Sequence, residues 1–150
     1  MFSNVLVVCV GNICRSPMAE AMLRQRVRND RVAISSAGTH AMLSSTIDPF
    51  AKAVLQVNGV DPHGHRSRQI DRQMLHDADL ILLMEHRQMQ SVLKLAPEVR
   101  GKTFLIGKWQ QEMEIADPYR RPQLAFEQTY ELLSRCVDDW LPYLQSGDPR

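Results

Sequence analysis

Val5-Leu6-Val7-Val8-Cys9 is a short apolar run rich in β-branched residues, and Val10-Gly11-Asn12-Ile13-Cys14-Arg15-Ser16-Pro17 follows it directly. The run predicts a buried strand and the residues after it a loop. Pro17 is favoured at the first position of a helix, and the free N–H groups of a helix start attract anions. Arg15 adds a cationic fork shaped for two phosphate oxygens. One short segment therefore combines a thiol, backbone donors and an arginine at a strand end.

The chain has 150 residues, of which 44% are apolar and 23% are charged. This length and composition predict one globular domain spanning residues 1–150. A formal net charge of +1 gives no support for a nucleic-acid or membrane-surface partner. No apolar run reaches transmembrane length, and the N-terminal run lacks the basic leader of a signal peptide. We therefore expect a cytoplasmic protein that is not embedded in a membrane.

The rest of the chain alternates strand and helix signals. Apolar runs predict strands at 5–9, 32–37, 80–84 and 103–106, and periodic or capped segments predict helices at 17–29, 49–57, 71–76, 85–95 and from residue 122 onwards. Residues 108–121 are expected to form a long functional loop, and the tail after Pro142 is expected to fray. Alternating elements predict an α/β fold of the flavodoxin-like or Rossmann-like class, with a four-stranded parallel sheet flanked by helices on both faces.

Cys9 is predicted to be a reactive nucleophile at the carboxyl end of a strand, where ligands bind in such sheets. The chain has three cysteines and no export signal, which does not indicate a disulfide framework. A helix start, Arg15 and Ser16 all follow Cys9 and favour its thiolate. Gly11 allows backbone conformations that would turn successive N–H groups inward as an anion site. Cys136, on the apolar side of the last helix, is expected in the core.

The segment from Cys9 to Pro17 resembles the signature loop of the low-molecular-weight protein tyrosine phosphatases. Further matches to that family, in order and spacing, are Ser36-Ala37-Gly38-Thr39, Gly64-His65 with Arg68-Gln69, Asp79 to Met84, and Asp117-Pro118-Tyr119. The resemblance covers nearly the whole chain and is strongest to the Wzb-type bacterial enzymes of capsule and exopolysaccharide production. It implies a phosphotyrosine phosphatase I-like fold, no cofactor, and a phosphotyrosine protein substrate, namely a membrane tyrosine autokinase with a tyrosine-rich tail.

The resemblance also implies roles for individual residues. Cys9 would attack phosphorus to form a phosphocysteine, and Asp117 would protonate the leaving phenolate and later activate water. Arg15 would hold the phosphate oxygens with the loop residues Val10, Gly11, Asn12, Ile13, Cys14 and Ser16. Ser16 would also bond the Cys9 sulfur, Asn12 would brace the loop, and His65 would support Asn12 from behind.

His40 and Tyr119 are expected to form the wall that contacts the substrate ring. Family members often carry an aromatic residue in the segment where this chain has His40-Ala41-Met42-Leu43. This departure bears on which peptides the site prefers.

Other functions share parts of this pattern. An arsenate reductase of the same fold would need two further redox cysteines, which Cys136 alone does not supply. Arginine phosphatases of the family carry threonine where Ile13 stands, and the bulkier Ile13 favours a phenolic substrate. A phosphocarrier domain of a sugar transport system phosphorylates a strand-end cysteine without an arginine or an acid, and a flavodoxin-like FMN binder needs no nucleophile. His63 and His65, lacking a further convergent ligand, are a weak metal signal, and the chemistry needs no metal.

Cys14 lies close enough to Cys9 in sequence to form a reversible disulfide that would shield the nucleophile from further oxidation. We expect mass spectrometry of mildly peroxide-treated protein to detect a peptide pair linked through these two cysteines. Treated protein without that link would contradict the hypothesis.

Overall fold

Four parallel strands form the centre of the computed structural model, which describes residues 2–145. They are β1 (Asn4–Cys9), β2 (Ala33–Gly38), β3 (Leu80–Leu83) and β4 (Thr103–Leu105). The order across the sheet is β2-β1-β3-β4, so the chain steps to one side of β1 and then to the other. Such a reversal leaves a crevice at the carboxyl end of the central strand. The predicted four-stranded parallel sheet is confirmed, and Cys9 lies at that crevice.

Helices cover both faces of the sheet, as predicted. They are α1 (Arg15–Arg26), α2 (Pro49–Val57), α3 (Arg72–Asp77), α4 (Arg87–Leu95) and α5 (Gln123–Gln145), with a 3-10 segment at Pro97–Lys102 that the sequence did not predict. Side chains alternate along β1, so Val7 and Cys9 join the core with α1, α2 and α5, while Leu6 and Val8 join the core with α3 and α4. Within residues 2–145, no helix has the length and apolar character required to cross a bilayer.

Helix α1 begins earlier than predicted, at Arg15 instead of Pro17, and it ends at Arg26 instead of residue 29. Cys14 is the N-cap residue, which makes Pro17 the third residue of the helix. A proline is tolerated there because the N–H groups of the first turn have no acceptor within the helix. Arg15 and Ser16 are therefore helical residues, and both are buried. Their side chains are held by a regular backbone.

Smaller shifts affect α4, which begins at Arg87 instead of residue 85, and β4, which ends at Leu105 instead of residue 106. The prediction of fraying after Pro142 was wrong for residues 143–145, because α5 continues through Pro142 to Gln145. Contacts outside the helix hold this last turn: Leu144 is fully buried, and Tyr143 stacks on Trp109 with 5.4 Å between ring centroids. Residues 146–150, which the same prediction covers, lie outside the described residues.

Gly38 brings the end of β2 into direct contact with the loop after β1. A Cβ atom at Gly38 would lie 2.3 Å from the carbonyl oxygen of Val10 and 3.1 Å from the Cβ of Asn12. The backbone of Gly38 is also fixed on its other side, since its N–H donates to Arg68 O and its carbonyl accepts from Ile70 N, both at 2.9 Å. These hydrogen bonds hold Gly38 close to Val10, so any side chain at position 38 would overlap the Val10 carbonyl oxygen unless the backbone shifts.

We predict that Gly38→Ala lowers the free energy of unfolding by about 1–3 kcal/mol, because the added methyl group overlaps backbone atoms. Urea denaturation would measure this change. Gly101→Ala is the matched control: a Cβ atom there meets nothing within 4 Å, and we expect unchanged or slightly higher stability. Equal stability of the two variants would contradict the close approach.

Candidate active site

Cys9 ends β1 with its thiol buried beneath the loop that follows, and the residue is 2% exposed. The backbone N–H of Asn12 donates to the Cys9 Sγ at 3.3 Å, and the Ser16 Oγ lies 2.9 Å from the same sulfur. Two donors thus converge on one sulfur atom. This arrangement stabilises negative charge on the sulfur, which a nucleophile and a leaving thiolate both require.

Asn12 determines the direction of these hydrogen bonds. Its side-chain Nδ2 donates to the Ser16 Oγ at 2.7 Å and to the Ser36 Oγ at 3.0 Å. Since the Ser16 oxygen accepts from Asn12, its own proton is available to the Cys9 sulfur. The Ser36 hydroxyl in turn donates to Glu20 Oε1 at 2.5 Å. A continuous chain of hydrogen bonds therefore runs from Glu20 to the thiol.

The backbone of Asn12 is held in the left-handed region, with φ of 58°. Two groups from the segment before α3 hold it there: Arg68 N–H donates to Asn12 Oδ1 at 2.9 Å, and the His65 ring lies 2.6 Å from the Asn12 carbonyl oxygen. Because a carbonyl only accepts, His65 Nε2 carries the proton in this contact. The structure thus places the His65 ring against the backbone of Asn12, and the supporting roles of both residues stay predictions.

Arg15 is 1% exposed and is the first residue of α1, directly after the loop that follows Cys9. Its Nη1 donates to Glu85 Oε1 at 2.7 Å and to the carbonyl oxygen of Ile115 at 2.8 Å, while its Nη2 lies 3.7 Å from Asp117 Oδ2. The Nη1 amino group is thus bonded to two protein acceptors. The Nη2 amino group is directed towards Asp117, the acid predicted from the sequence.

Glu85 is a functional candidate that our sequence reasoning missed. It stands two residues after β3, at the same sheet edge as Cys9. Burial acts to raise the pKa of the Glu85 carboxyl, but the hydrogen bond and charge of Arg15, supported by Arg87, hold that pKa below its usual value of 4.5. Glu85 is therefore ionised at neutral pH and paired with Arg15. A charged residue just beyond an apolar strand was the signal that could have identified it.

Asp117 lines the same cavity as Cys9 and lies on the loop between β4 and α5. The cavity has a volume of about 180 Å³ and is lined by residues 9–15, His40, Met42, Asp117 and Tyr119. The Asp117 side chain is 39% exposed, and its Oδ1 accepts the N–H of Tyr119 at 3.0 Å in a tight turn. Residues that are far apart in sequence, including the predicted wall residues His40 and Tyr119, thus surround one small cavity.

The segment that contains His40 and Met42, which also lines the cavity, is attached to the Cys9 loop through its backbone. His40 N–H donates to Val10 O at 2.9 Å, and Met42 N–H donates to Gly11 O at 3.1 Å. The Met42 side chain lies over Gly11, where a Cβ atom would be 3.9 Å from the Met42 Cγ. Met42 therefore contributes apolar surface where an aromatic residue is absent from the sequence.

The other two cysteines are buried thiols. Burial raises the pKa of the Cys14 thiol well above its ordinary value and raises that of Cys136 to about 11. Cys136 lies in the core as expected, and the disulfide between Cys9 and Cys14 stays a prediction. His63 lies beside Asp61 and His65 beside Asn12, and no group of three or more His, Cys, Asp or Glu side chains within residues 2–145 is arranged to hold a metal ion.

Comparison with known proteins shows what this site is similar to. The family model for low molecular weight phosphotyrosine protein phosphatase matches residues 4–148. The chain is 45% identical to the low molecular weight protein-tyrosine-phosphatase Etp of Escherichia coli K12 over 93% of each chain. It is 42% identical to Wzb of the same organism, a protein of the same description, over 97% of this chain and 98% of Wzb.

Solved structures agree. Wzb of Vibrio vulnificus, in complex with benzylphosphonate, superposes with a TM-score of 0.91 at 37% identity, covering 96% of this chain and 100% of that one. The arginine phosphatase YwlE of Geobacillus stearothermophilus gives a TM-score of 0.88 at 31% identity, covering 94% and 92%. The fold is thus common to tyrosine phosphatases and to an arginine phosphatase. The chain, an enzyme with a cysteine nucleophile loop, belongs to the low molecular weight phosphotyrosine protein phosphatase family.

Proposed function

We propose that this phosphatase acts in the cytoplasm on phosphotyrosine in the tyrosine-rich tail of a membrane tyrosine autokinase, within capsule or exopolysaccharide production. The observation that carries the aryl part of the proposal is the cavity itself, which is lined by the Cys9 loop, by the Asp117 carboxylate and by the apolar residues Ile13, Met42 and Tyr119. A phosphate group fits the donors at the base. A phenyl ring fits the space between Met42 and Tyr119.

In the first step, the Cys9 thiolate attacks phosphorus and forms an S–P bond as the P–O bond to the phenol breaks. Arg15 and the loop N–H groups hold the three equatorial oxygens, over which charge spreads in the transition state. The protonated carboxyl of Asp117 gives its proton to the departing phenolate oxygen. The products of this step are a free tyrosine side chain, phosphocysteine and ionised Asp117.

In the second step, water attacks the phosphocysteine and the Asp117 carboxylate takes a proton from that water. The S–P bond breaks and releases inorganic phosphate and the Cys9 thiolate. The Ser16 hydroxyl and the Asn12 N–H are the groups that receive this thiolate, since both point to the sulfur. Asp117 ends the cycle protonated, as it began. No metal is required at either step.

The cavity walls favour an aryl over a guanidinium substrate. Ile13, Met42 and Tyr119 line the cavity above the phosphate site. A phosphoarginine side chain would bring a polar guanidinium with several N–H donors against this apolar surface, where Asp117 is the single carboxylate among the lining residues and leaves most of those donors without an acceptor. The benzylphosphonate bound to Vibrio vulnificus Wzb supports the aryl assignment, whereas the similarity to YwlE makes arginine phosphatase the second candidate.

The proposed partner follows from the branch of the family. The sequence motifs resemble the Wzb-type enzymes of capsule and exopolysaccharide production over nearly the whole chain, and this resemblance supports an autokinase tail as the substrate. The identity to Etp and Wzb agrees with that branch of the family. The substrate tail would have to be extended for a phosphotyrosine to enter a cavity whose base is a buried thiol. A flexible tail with several tyrosines meets that requirement.

We predict that Cys9→Ser reduces hydrolysis of an aryl phosphate by roughly a thousandfold or more, because it removes the nucleophile. Arg15→Lys should lose about 10²–10³-fold, since it removes bidentate phosphate contacts. Asp117→Asn should lose about 10²-fold or more, with a larger loss for phenyl phosphate than for p-nitrophenyl phosphate, because the poorer leaving group needs the proton more. Steady-state kinetics in EDTA would measure all three effects.

Matched controls are available on the surface. Arg100→Lys and Asp61→Asn make the same chemical changes at exposed positions and should keep full activity. Full activity of Cys9→Ser would refute the mechanism. An Asp117→Asn loss independent of the leaving group would refute the assignment of Asp117 as the acid.

The substrate proposal is tested by trapping. We expect Cys9→Ser protein to retain a phosphorylated autokinase tail from a lysate, and to release it when vanadate occupies the phosphate site. The same tail bearing phenylalanine in place of tyrosine is the control and should not bind. Preferential hydrolysis of phosphoarginine over phosphotyrosine peptides by the unmodified enzyme would favour the second candidate instead.

A further inference from the structure

Gln88, in the first turn of α4, holds the chain just beyond β3 with a single atom. Its side-chain Oε1 accepts the backbone N–H groups of both Met84 and Glu85, at 2.9 and 3.1 Å. Gln88 is 2% exposed, so water does not compete for these contacts. Two successive peptide groups of the turn from β3 into α4 are therefore fixed by one buried oxygen.

The other end of the same amide makes no hydrogen bond. Gln88 Nε2 is a buried side-chain atom without a hydrogen-bond partner among the described residues. A buried donor without an acceptor costs stability. An apolar side chain of equal size would avoid this cost but would leave the Met84 and Glu85 N–H groups without their acceptor. A glutamine at position 88 is thus explained by the two N–H groups that its oxygen accepts, and not by its own nitrogen.

The segment that Gln88 fixes contacts both halves of the active site. Glu85 pairs with Arg15 at 2.7 Å through its carboxylate. The Met84 carbonyl accepts the N–H of Ile115 at 2.9 Å, and the Ile115 carbonyl accepts Arg15 Nη1 at 2.8 Å. These contacts form a closed ring from Arg15 through Glu85 and Met84 to Ile115 and back to Arg15. Ile115 lies two residues before Asp117.

We infer that Gln88 is a positioning residue for the phosphatase reaction: by fixing Met84 and Glu85 it aims Arg15 at the phosphate and sets the start of the Asp117 loop. This inference rests on the proposed roles of Arg15 and Asp117. Arg15 must bind oxygens that move during phosphoryl transfer, and a displacement of about 1 Å in such a group can cost about 10²-fold in rate. Gln88 itself touches no reacting atom.

The test is Gln88→Met, an isosteric change that removes the acceptor and the unpartnered donor together. We expect kcat for an aryl phosphate to fall roughly tenfold, and inhibition by inorganic phosphate to weaken. The urea midpoint should fall only modestly, because two backbone N–H groups lose their acceptor while one unpartnered donor is removed. Gln90→Met makes the same change at an exposed position of α4 and should behave as the wild type. If the Met variant does not fold, Gln88→Asn, which is too short to reach both N–H groups, carries the same expectations.

A double-mutant cycle separates positioning from general stability. If Gln88 acts through Glu85, adding Gln88→Met to Glu85→Gln should lower kcat further by less than about twofold, because the second change removes a contact whose effect is already lost. Full multiplication of the two losses would overturn the part of the inference that runs through Glu85, and wild-type kcat in Gln88→Met would overturn the whole of it. Activity retained in Arg15→Lys would instead show that the proposed role of Arg15 is wrong, whatever Gln88 does.

Discussion

The hydrogen bonds that converge on Asn12 are the constraint on which the rest of the site depends. Its amide joins the start of α1, through Ser16, to β2, through Ser36. Its backbone adopts a left-handed conformation that costs energy for any residue except glycine, and contacts from His65 and Arg68 compensate for that cost. One backbone N–H group, one imidazole ring and two hydroxyl groups thus hold Asn12 in place. Without them the Asn12 N–H would not point at the Cys9 sulfur.

A second set of contacts, on the other side of β1, holds the arginine. Here the bonding groups come from the end of β3 and from the loop before α5, and they meet at Glu85 and Ile115. The thiol and the arginine are therefore fixed by separate parts of the sheet. Because Arg15 and Ser16 share the first turn of α1, that turn transmits position between the two sets of contacts.

The sequence predicted most of the fold because apolar runs and caps are local signals. The strand from Val5 to Cys9 and the helix over residues 49–57 needed no knowledge of distant residues. The start of α1 was misplaced because Pro17 is equally acceptable one or three residues into a helix. The passage of α5 through Pro142 was missed because the stacking of Tyr143 on Trp109 joins residues from different elements.

The site was predicted to a similar extent, and for similar reasons. The loop from Cys9 to Ser16 is contiguous, so its residue types alone indicated a thiol beside an anion site. Glu85 and Gln88 were missed because each acts only after the sheet brings it to the residues around Cys9 and Arg15. Residue type alone carries no information about such long-range contacts. A position just after an apolar strand carries some, so Glu85 was easier to predict than Gln88.

The attachment of residues 40–42 to the catalytic loop has a consequence for how such enzymes diverge. Among the described residues, His40 and Met42 bond to Val10 and Gly11 through backbone atoms, so the two side chains that line the cavity take no part in those hydrogen bonds. Substitutions there can reshape the entrance while the phosphate cradle keeps its geometry. One architecture can in this way acquire new specificities by single replacements, and its chemistry stays intact throughout the transition.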